Sequence, residues 1–295
     1  MSAGGRLRAL LTSGSPVIAP GAYDGLTASL VERSGYHAVY MTGAGTAAAL
    51  GLPDYGLATL TEMAGNVARI TSSTRLPVIA DADTGYGNEL NIVRTVREYE
   101  RAGAAALHIE DQVFAKRCGH LEGKELVPLD DFVARIRAAA AARSDPDLLI
   151  IARTDAIAVE GFDAAIARVR AALTGGADMA FVEAPETLEQ VARIPALVGG
   201  PCLLNLVAGG RTPELSIEDA RSFGYAVVIV PGLLLASTVI GAEIALTALK
   251  ETGRFPKAPI GALSSPRALF SRVGADDWDE LRVRLSGASP AVHHA

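Results

Sequence analysis

The sequence predicts a (β/α)8 barrel, a TIM barrel, with a helical segment added at its C-terminal end, and three observations carry that prediction. First, eight short runs rich in Val, Ile and Leu alternate with alanine-rich stretches of helical pattern. Parallel strands buried on both faces and joined by crossover helices read this way in sequence. Second, Gly35, Gly103, Gly176 and Gly224 stand just ahead of such runs, where a left-handed residue would end the preceding helix. Third, polar residues cluster immediately after six of the eight runs. A barrel keeps its chemistry at those C-terminal strand ends.

Strands are expected at 17–19, 38–41, 77–80, 105–109, 148–152, 179–182, 202–206 and 226–230. Helices are expected near 25–34, 60–72, 89–102, 129–142, 162–174, 188–194, 216–223 and 233–250, with Asp24, Asn88 and Ser216 as caps. Eight such units close naturally into a barrel spanning 1–253. An open doubly wound sheet would show a phosphate fingerprint after its first strand, and Pro20-Gly21-Ala22-Tyr23 is not one. Beyond Gly253 the repeat stops. The stretch 254–264 is loop-like, and 265–285 reads as helical, with Pro266 in its first turn and Leu269, Phe270, Val273, Trp278, Leu281 and Leu285 as apolar positions. An extension this apolar (254–295) is expected to pack on its own barrel or on a neighbouring subunit.

Composition narrows the function. Of 295 residues, 49% are hydrophobic and 20% charged, enough for a large core without disorder. A net charge of −6 argues against a nucleic-acid or anionic-membrane surface. The nearly continuous apolar stretch 225–249 is broken by Pro231-Gly232 and by Glu243. A strand followed by a buried helix is therefore expected there, not a membrane span. Two cysteines without framework spacing point to a reducing compartment. The N-terminal residues lack the apolar stretch of a signal peptide. A cytoplasmic soluble enzyme is expected.

The chemistry centres on Lys116-Arg117-Cys118-Gly119-His120. Cationic neighbours lower a thiol's pKa and make it reactive, and Gly119 allows a sharp bend or a close approach. The strand ends supply the rest: Thr42-Gly43-Ala44, Asp81-Ala82-Asp83, Glu110-Asp111, Arg153-Thr154-Asp155, Glu183 and Asn205. Asp81 and Asp83 are two apart, so an extended strand points both one way, with Glu110 on the next strand. Three converging carboxylates need a cation between them, and oxygen ligands suit Mg2+ or Mn2+. The plainer alternative is that the aspartates cap a Gly-rich turn while Glu110 pairs with Arg153. Arg153 is suited to clamp a substrate carboxylate bidentately, to pair with a rim acid, or both. Backbone N–H groups at Thr42-Gly43-Ala44 are placed to receive an oxyanion. Tyr40 shares the direction of Thr42, and Asp54 lies on a loop near the mouth. His108 reads as a satisfied core histidine, His37 as exposed, His293 and His294 as tail residues, and Cys202 as core. No Walker loop, nucleophile elbow or zinc spacing is present.

Three segments together, Asp81-Ala82-Asp83-Thr84-Gly85-Tyr86-Gly87, His108-Ile109-Glu110-Asp111-Gln112 and Lys116-Arg117-Cys118-Gly119-His120, resemble the isocitrate lyase / phosphoenolpyruvate mutase superfamily. The likeness runs over about residues 20–231, and the Lys-Arg-Cys-Gly-His block resembles its lyase branch, the methylisocitrate and 2,3-dimethylmalate lyases. The resemblance implies a barrel in a homotetramer that exchanges its C-terminal helices. It also implies Mg2+ at Asp83, with Asp81 and Glu110 acting through water, and a mobile loop carrying Cys118. Tyr40, Thr42, Gly43, Ala44, Gly119, His120, Arg153, Glu183 and Asn205 would surround a small carboxylic acid, with Asp54 near the metal.

The implied reaction is a retro-aldol or Claisen-type cleavage of a 2-hydroxy di- or tricarboxylate to pyruvate or another 2-oxo acid plus a carboxylate. Arg153, His120 and Lys116 would offset the charge of the dianion formed, and Cys118 would protonate it. Tyr40, Asp54 or a metal-bound water would take the hydroxyl proton. This chain has Thr42-Gly43-Ala44 where such lyases usually have Ser-Gly-Gly. After Asn205 it continues Leu206-Val207-Ala208-Gly209-Gly210-Arg211-Thr212-Pro213, and Ser237 stands where methylisocitrate lyases carry an arginine. These departures favour a dicarboxylic, alkylmalate-type substrate over a tricarboxylate. The alternatives are an oxaloacetate decarboxylase or acetylhydrolase, a phosphonopyruvate-type enzyme, and, more remotely, a catalytically silent binding protein. Cys118 counts against the first two kinds, and the intact rim charges against the last.

Overall fold

The computed structural model describes residues 1–254 and 265–286. After helix α1 (Ala3–Leu11), eight parallel strands form a closed barrel in chain order: β1 (Val17–Ala22), β2 (Val39–Met41), β3 (Val78–Asp81), β4 (Ala106–Glu110), β5 (Leu149–Thr154), β6 (Met179–Val182), β7 (Cys202–Asn205) and β8 (Val227–Val230). The ring shuts where Val17 pairs with Val227. Register sets the chemistry as well: β4 and β5 place Glu110 directly beside Arg153.

Helices α2 (Gly25–Arg33), α4 (Leu60–Ser73), α5 (Glu89–Arg101), α6 (Leu129–Ala142), α8 (Phe162–Thr174), α9 (Leu188–Val198), α10 (Ile217–Phe223) and α11 (Leu233–Thr252) follow the strands, with two short helices, α3 (Gly43–Ala49) and α7 (Ile157–Glu160), between them. Four starts carry reciprocal capping boxes, at Asp24/Thr27, Thr59/Glu62, Asn88/Asn91 and Ser216/Asp219, each satisfying two orphan N–H groups. Side chains inside the barrel, among them Ala19, Ile79, Ile151, Phe181, Leu203 and Ile229, form one cluster. Two further clusters lie between strands and helices. Each fully buried Leu, Ile or Phe contributes about 1.5–3 kcal/mol.

Four expectations need correction. Helix α9 does not stop at 194 but continues to Val198 through Pro195. A proline there removes the bond to the carbonyl four residues back, and the Tyr225 hydroxyl donates to that carbonyl, Val191 O, at 2.9 Å instead. Helix α3 was not anticipated, because Gly43-Ala44-Gly45 reads as loop; Thr42 caps it by accepting from Gly45 N. Helix α11 is not buried in this chain: it has no buried residue, and Ile240, Ile244 and Leu246 are more than half exposed. Among the described residues it is the one helix long and apolar enough, by length and composition alone, to cross a membrane. Lastly, 265–285 is not one helix: α12 (Pro266–Phe270) and a 3-10 turn end at left-handed Gly274, and α13 (Ala275–Ser286) follows.

The chain divides into two compact units, Met1–Thr238 and Val239–Ala295. Within the second, Arg267 joins α12 to α13 through Asp276 and Asp279, while Trp278 and Leu285 stay exposed. His293, His294 and 255–264 lie outside the described residues.

Candidate active site

The strand ends bring almost every predicted residue to one rim, and the loop 112–127 folds over it. That loop is rooted as an antiparallel ribbon: Gln112 pairs with Leu126, and Val113 N donates to Glu125 O at 2.8 Å. Arg135 on α6 clasps the ribbon by donating to Gln112 O at 2.9 Å. The tip 114–124 lies over the rim, with Lys116 and Lys124 buried and ion-paired beneath it.

On one side of the rim stand four acids. Asp81 ends β3, but Asp83 is not on an extended strand as the two-residue spacing suggests: its φ is +47°, left-handed. The turn forms because Asp81 Oδ1 accepts from Asp83 N at 3.0 Å, an aspartate holding its own turn. Asp81 Oδ2 accepts from Gly43 N at 3.2 Å, and any Cβ at Gly43 would stand 2.4 Å from that oxygen. The turn-capping and Glu110–Arg153 pairing weighed in sequence are both present, the latter at 3.2 Å.

Lys116 is the cation among these acids, 2.5 Å from Asp54 Oδ1 and 2.9 Å from Asp83 Oδ1. Burial pushes Asp83 up to about 6, against Lys116 and with help from Asp81. Burial drives Glu110 well above the carboxylate range, though Arg153 opposes it. Asp81 is held down at about 2, since His108, Lys116 and Arg153 outweigh its burial. Both Glu110 oxygens are buried and accept no hydrogen bond. Lys116 and a shared Arg153 do not offset all four acids, and both Glu110 oxygens stay without a donor, so a hard divalent ion suits the donor set. Among the described residues no cluster of three or more His, Cys, Asp or Glu closes into a cage. An ion that keeps mostly water and substrate oxygens would need none.

The other side is balanced. Arg153 donates from Nε to Asp155 Oδ2 at 2.9 Å, lies 3.3 Å from Glu183 Oε2, and stacks 5.1 Å over Phe181. Asn205 donates to both Glu183 oxygens at 3.2 Å. His120 presents Nε2 to Glu183 Oε1 at 3.2 Å, while its Nδ1 accepts from Arg211 N at 3.1 Å. The Nδ1 contact fixes the ring so that Nε2 faces the Glu183 carboxylate. Glu183 sits at about 2, Arg153 and His120 overcoming its burial.

Cys118 lies at the lid tip between the two sides. Lys116, two residues earlier, reaches Asp83, and Gly119 lies against the balanced side, where an added Cβ would stand 2.5 Å from Arg153 Nη2. The expectation that cations lower the thiol's pKa is corrected. Burial raises it, against a backbone N–H of His120 and the charges of Arg153 and Lys116. Of the oxyanion groups, Thr42 N is spent on Ala22 O and Gly43 N on Asp81. That leaves the Ala44 N–H, second in α3, for a ligand.

Tyr40 and His108 form the floor. The Tyr40 hydroxyl is 2.8 Å from His108 Nε2 and 3.4 Å from Asp81 Oδ2. Burial lowers His108 to about 4 and raises Tyr40 well above the phenol range. His108 is in the core as expected but is only half satisfied, its Nδ1 having no hydrogen-bond partner, and it faces the rim acids, a direction its two-residue offset from Glu110 already gives.

Sequence reasoning placed Asp111 and Asp155 on the rim without a role, and it missed Lys124 and Arg168. Asp111 accepts from Thr154 Oγ1 at 2.5 Å and Asp155 N at 2.9 Å, and Arg168 Nη1 stands 3.4 Å from it. Asp111 and Asp155 are adjacent to named residues, a usable signal; Lys124 and Arg168 carry none, since loop and helix cations are ordinarily solvated.

Comparison with known proteins agrees with this arrangement. The phosphoenolpyruvate phosphomutase family model matches residues 7–250. The chain is 47% identical over 232 residues to 2,3-dimethylmalate lyase of Eubacterium barkeri, covering 78% of this chain and 80% of that one. It is 41% identical over 280 residues to 2-methylisocitrate lyase of Aeropyrum pernix, covering 95% and 90%. An oxaloacetate acetylhydrolase bound to 3,3-difluorooxalacetate superposes with a TM-score of 0.93 at 37% identity, covering 98% and 99%. The matched barrel, its acid-lined rim and the lid that carries Cys118 share one conclusion: this chain belongs to the phosphoenolpyruvate mutase/isocitrate lyase superfamily.

Proposed function

We infer that the protein is a carbon–carbon lyase that cleaves a 2-hydroxy dicarboxylate of the 2,3-dimethylmalate kind to a 2-oxo acid and a carboxylate. One observation carries this: the loop that bears Cys118 lies over the acid-lined rim, its Lys116 reaching Asp54 and Asp83 and its His120 reaching Glu183. A divalent ion, Mg2+ or in its place Mn2+, held at Asp83 with Asp81 and Glu110 behind it, supplies charge stabilisation for the substrate's hydroxyl and carboxylate oxygens.

This chain's residues do the rest. The Ala44 N–H receives one substrate carboxylate, beside Thr42 and Gly43, whose own N–H groups are committed. Arg153, Glu183, Asn205, Gly119 and His120 form the wall for the other. Tyr40 keeps its proton, since burial and Asp81 disfavour the phenolate. It is therefore a poor base, and the role falls to Asp54, whose side chain is the least buried of the four acids. Bond scission leaves electrons on the carbon next to the second carboxylate. Cys118, kept as thiol by burial, gives that carbon its proton, and the closed lid excludes water until it has done so.

The substrate is a dicarboxylate because the rim's cations are committed. Lys116 is paired with Asp54 and Asp83, Arg153 with Glu110, Asp155 and Glu183, and Arg211 with Glu122 and Glu186. Ser237 stands where a tricarboxylate would call for a further cation. A panel of 2-hydroxy acids with Mg2+, followed for 2-oxo acid release, tests this. Release from dimethylmalate-type acids supports it, and production of oxalate and acetate from oxaloacetate would replace it with the acetylhydrolase reading. No turnover with any of these would return the silent binding protein.

Residues 1–253 form the catalytic barrel in this account, and 254–295 its extension. A second copy of this chain covers the exposed apolar residues of α11, in a homotetramer that exchanges C-terminal helices. Glu243 and Lys250 on α11 suit a protein interface better than lipid. Solution mass at four times that of one chain is the expected result. A cytoplasmic location suits an unpaired working thiol.

A further inference from the structure

We propose that Lys124 is a positioning residue that pins the lid through Asp155, making one buried carboxylate hold both the Cys118 segment and Arg153. The inference rests on the lyase reading only for its kinetic consequence. Lys124 belongs to the lid, whose neighbours Glu122 and Leu121 are exposed, yet its own side chain is 1% exposed. Its ammonium donates to Gly119 O, the carbonyl immediately after Cys118, and to Asp155 Oδ1 at 3.1 Å.

Asp155 is fully buried and fixed from three directions. Its backbone N–H donates to Asp111 Oδ1 at 2.9 Å. Its carboxylate takes Arg153 Nε at 2.9 Å and Nη2 at 3.3 Å, and Lys124 from the lid. A buried lysine is tolerated only when paired and hydrogen-bonded. Opening the lid tip would hydrate Lys124 and leave Asp155 to Arg153 alone. Closing it desolvates the ammonium, and the Gly119 carbonyl and Asp155 repay that cost only in the closed geometry. Gly119 has room to sit against Arg153, Glu183 and Asp155 because it lacks a Cβ. The ammonium therefore fixes the height at which the Cys118 thiol stands over the site.

The test is Lys124→Met in the full-length protein, which removes the charge and keeps most of the volume, with Lys124→Arg as the conservative variant. The first readout is alkylation of Cys118 by iodoacetamide without ligand, with buried Cys202 as internal control. Lys124→Met is expected to speed alkylation of Cys118 about tenfold or more with Cys202 still protected, and Lys124→Arg to return most of the wild-type protection. The second readout is kinetic. Lys124→Met is expected to lower kcat about 10- to 100-fold with KM changed much less, because the misplaced group acts after binding. Unchanged Cys118 alkylation in Lys124→Met overturns the proposal whether or not the protein is a lyase. Equal acceleration at Cys202 also overturns it, by showing a general loss of stability. Absence of lyase activity in the wild type, with Cys118 exposed only in Lys124→Met, would overturn the reaction and leave the latch standing.

Discussion

The two sides of the rim are built from the same residue types and differ in charge balance. On the Asp83 side, Asp54 and Asp83 share the Lys116 ammonium, Glu110 has only a share of Arg153, and burial pushes Asp83 and Glu110 towards protonation. On the Arg153 side, Glu183 and Asp155 are each met by a guanidinium and by a second donor, and Glu183 is held at about 2. The difference teaches that burial alone does not decide a carboxylate's state: charges and donors outweigh it at Asp81 and Glu183 and fail to at Asp83 and Glu110. One side is unfinished without a further cation, and the other is complete and rigid.

The largest effect is expected from breaking the unfinished side. Asp83→Ala should lower turnover by about three orders of magnitude, the several kcal/mol that a bound ion supplies. It should also abolish the response to added Mg2+, as read by 2-oxo acid release with and without EDTA. Wild-type turnover that survives EDTA would remove the metal from the account. Next comes the thiol between the sides: Cys118→Ser should cost about 10²- to 10⁴-fold in kcat, while oxalate and Mg2+ still bind by calorimetry.

Much of this contrast was legible in the sequence, for reasons that particular residues show. Strand ends are fixed by periodicity, so Asp81, Glu110, Arg153, Glu183 and Asn205 fell on the rim as expected, and Glu110 beside Arg153 follows from β4–β5 register. Asp83 was placed correctly for the wrong reason, since its direction comes from a left-handed turn that alternation does not encode. The thiol's raised pKa was missed because sequence neighbours show charge but not burial. Lys124 was missed because nothing local marks one loop lysine as buried. Helix α11 was expected inside because its apolar pattern is identical whether its partner is its own barrel or another copy.

Smaller effects sharpen the comparison. Arg153→Lys should cost about 10- to 100-fold in kcat/KM, because an ammonium cannot serve Asp155, Glu110 and Glu183 with one planar fork. His108 gives a pH dependence of stability: its value of about 4 lies below the ordinary 6.5, burial being the main cause. Stability is therefore intact above pH 6.5 and is lost as pH falls from there through 4, by up to about 3 kcal/mol. Melting temperature from pH 8 to pH 4 should fall in wild type more steeply than in His108→Gln. The mildest change concerns Cys118 chemistry. Its raised pKa should move the alkaline rise of its alkylation above that of a free thiol, and a midpoint below the free thiol's would contradict its role as a proton donor.

The most direct test of an acid-rich pocket that cleaves and a thiol that protonates is turnover in deuterium oxide, with the product carboxylate analysed by mass and by configuration. Wild type is expected to place one deuterium, in a single configuration, on the carbon released by cleavage, and Cys118→Ser to lose both the rate and the stereochemical purity. Equal rate and equal purity in the variant would contradict the account.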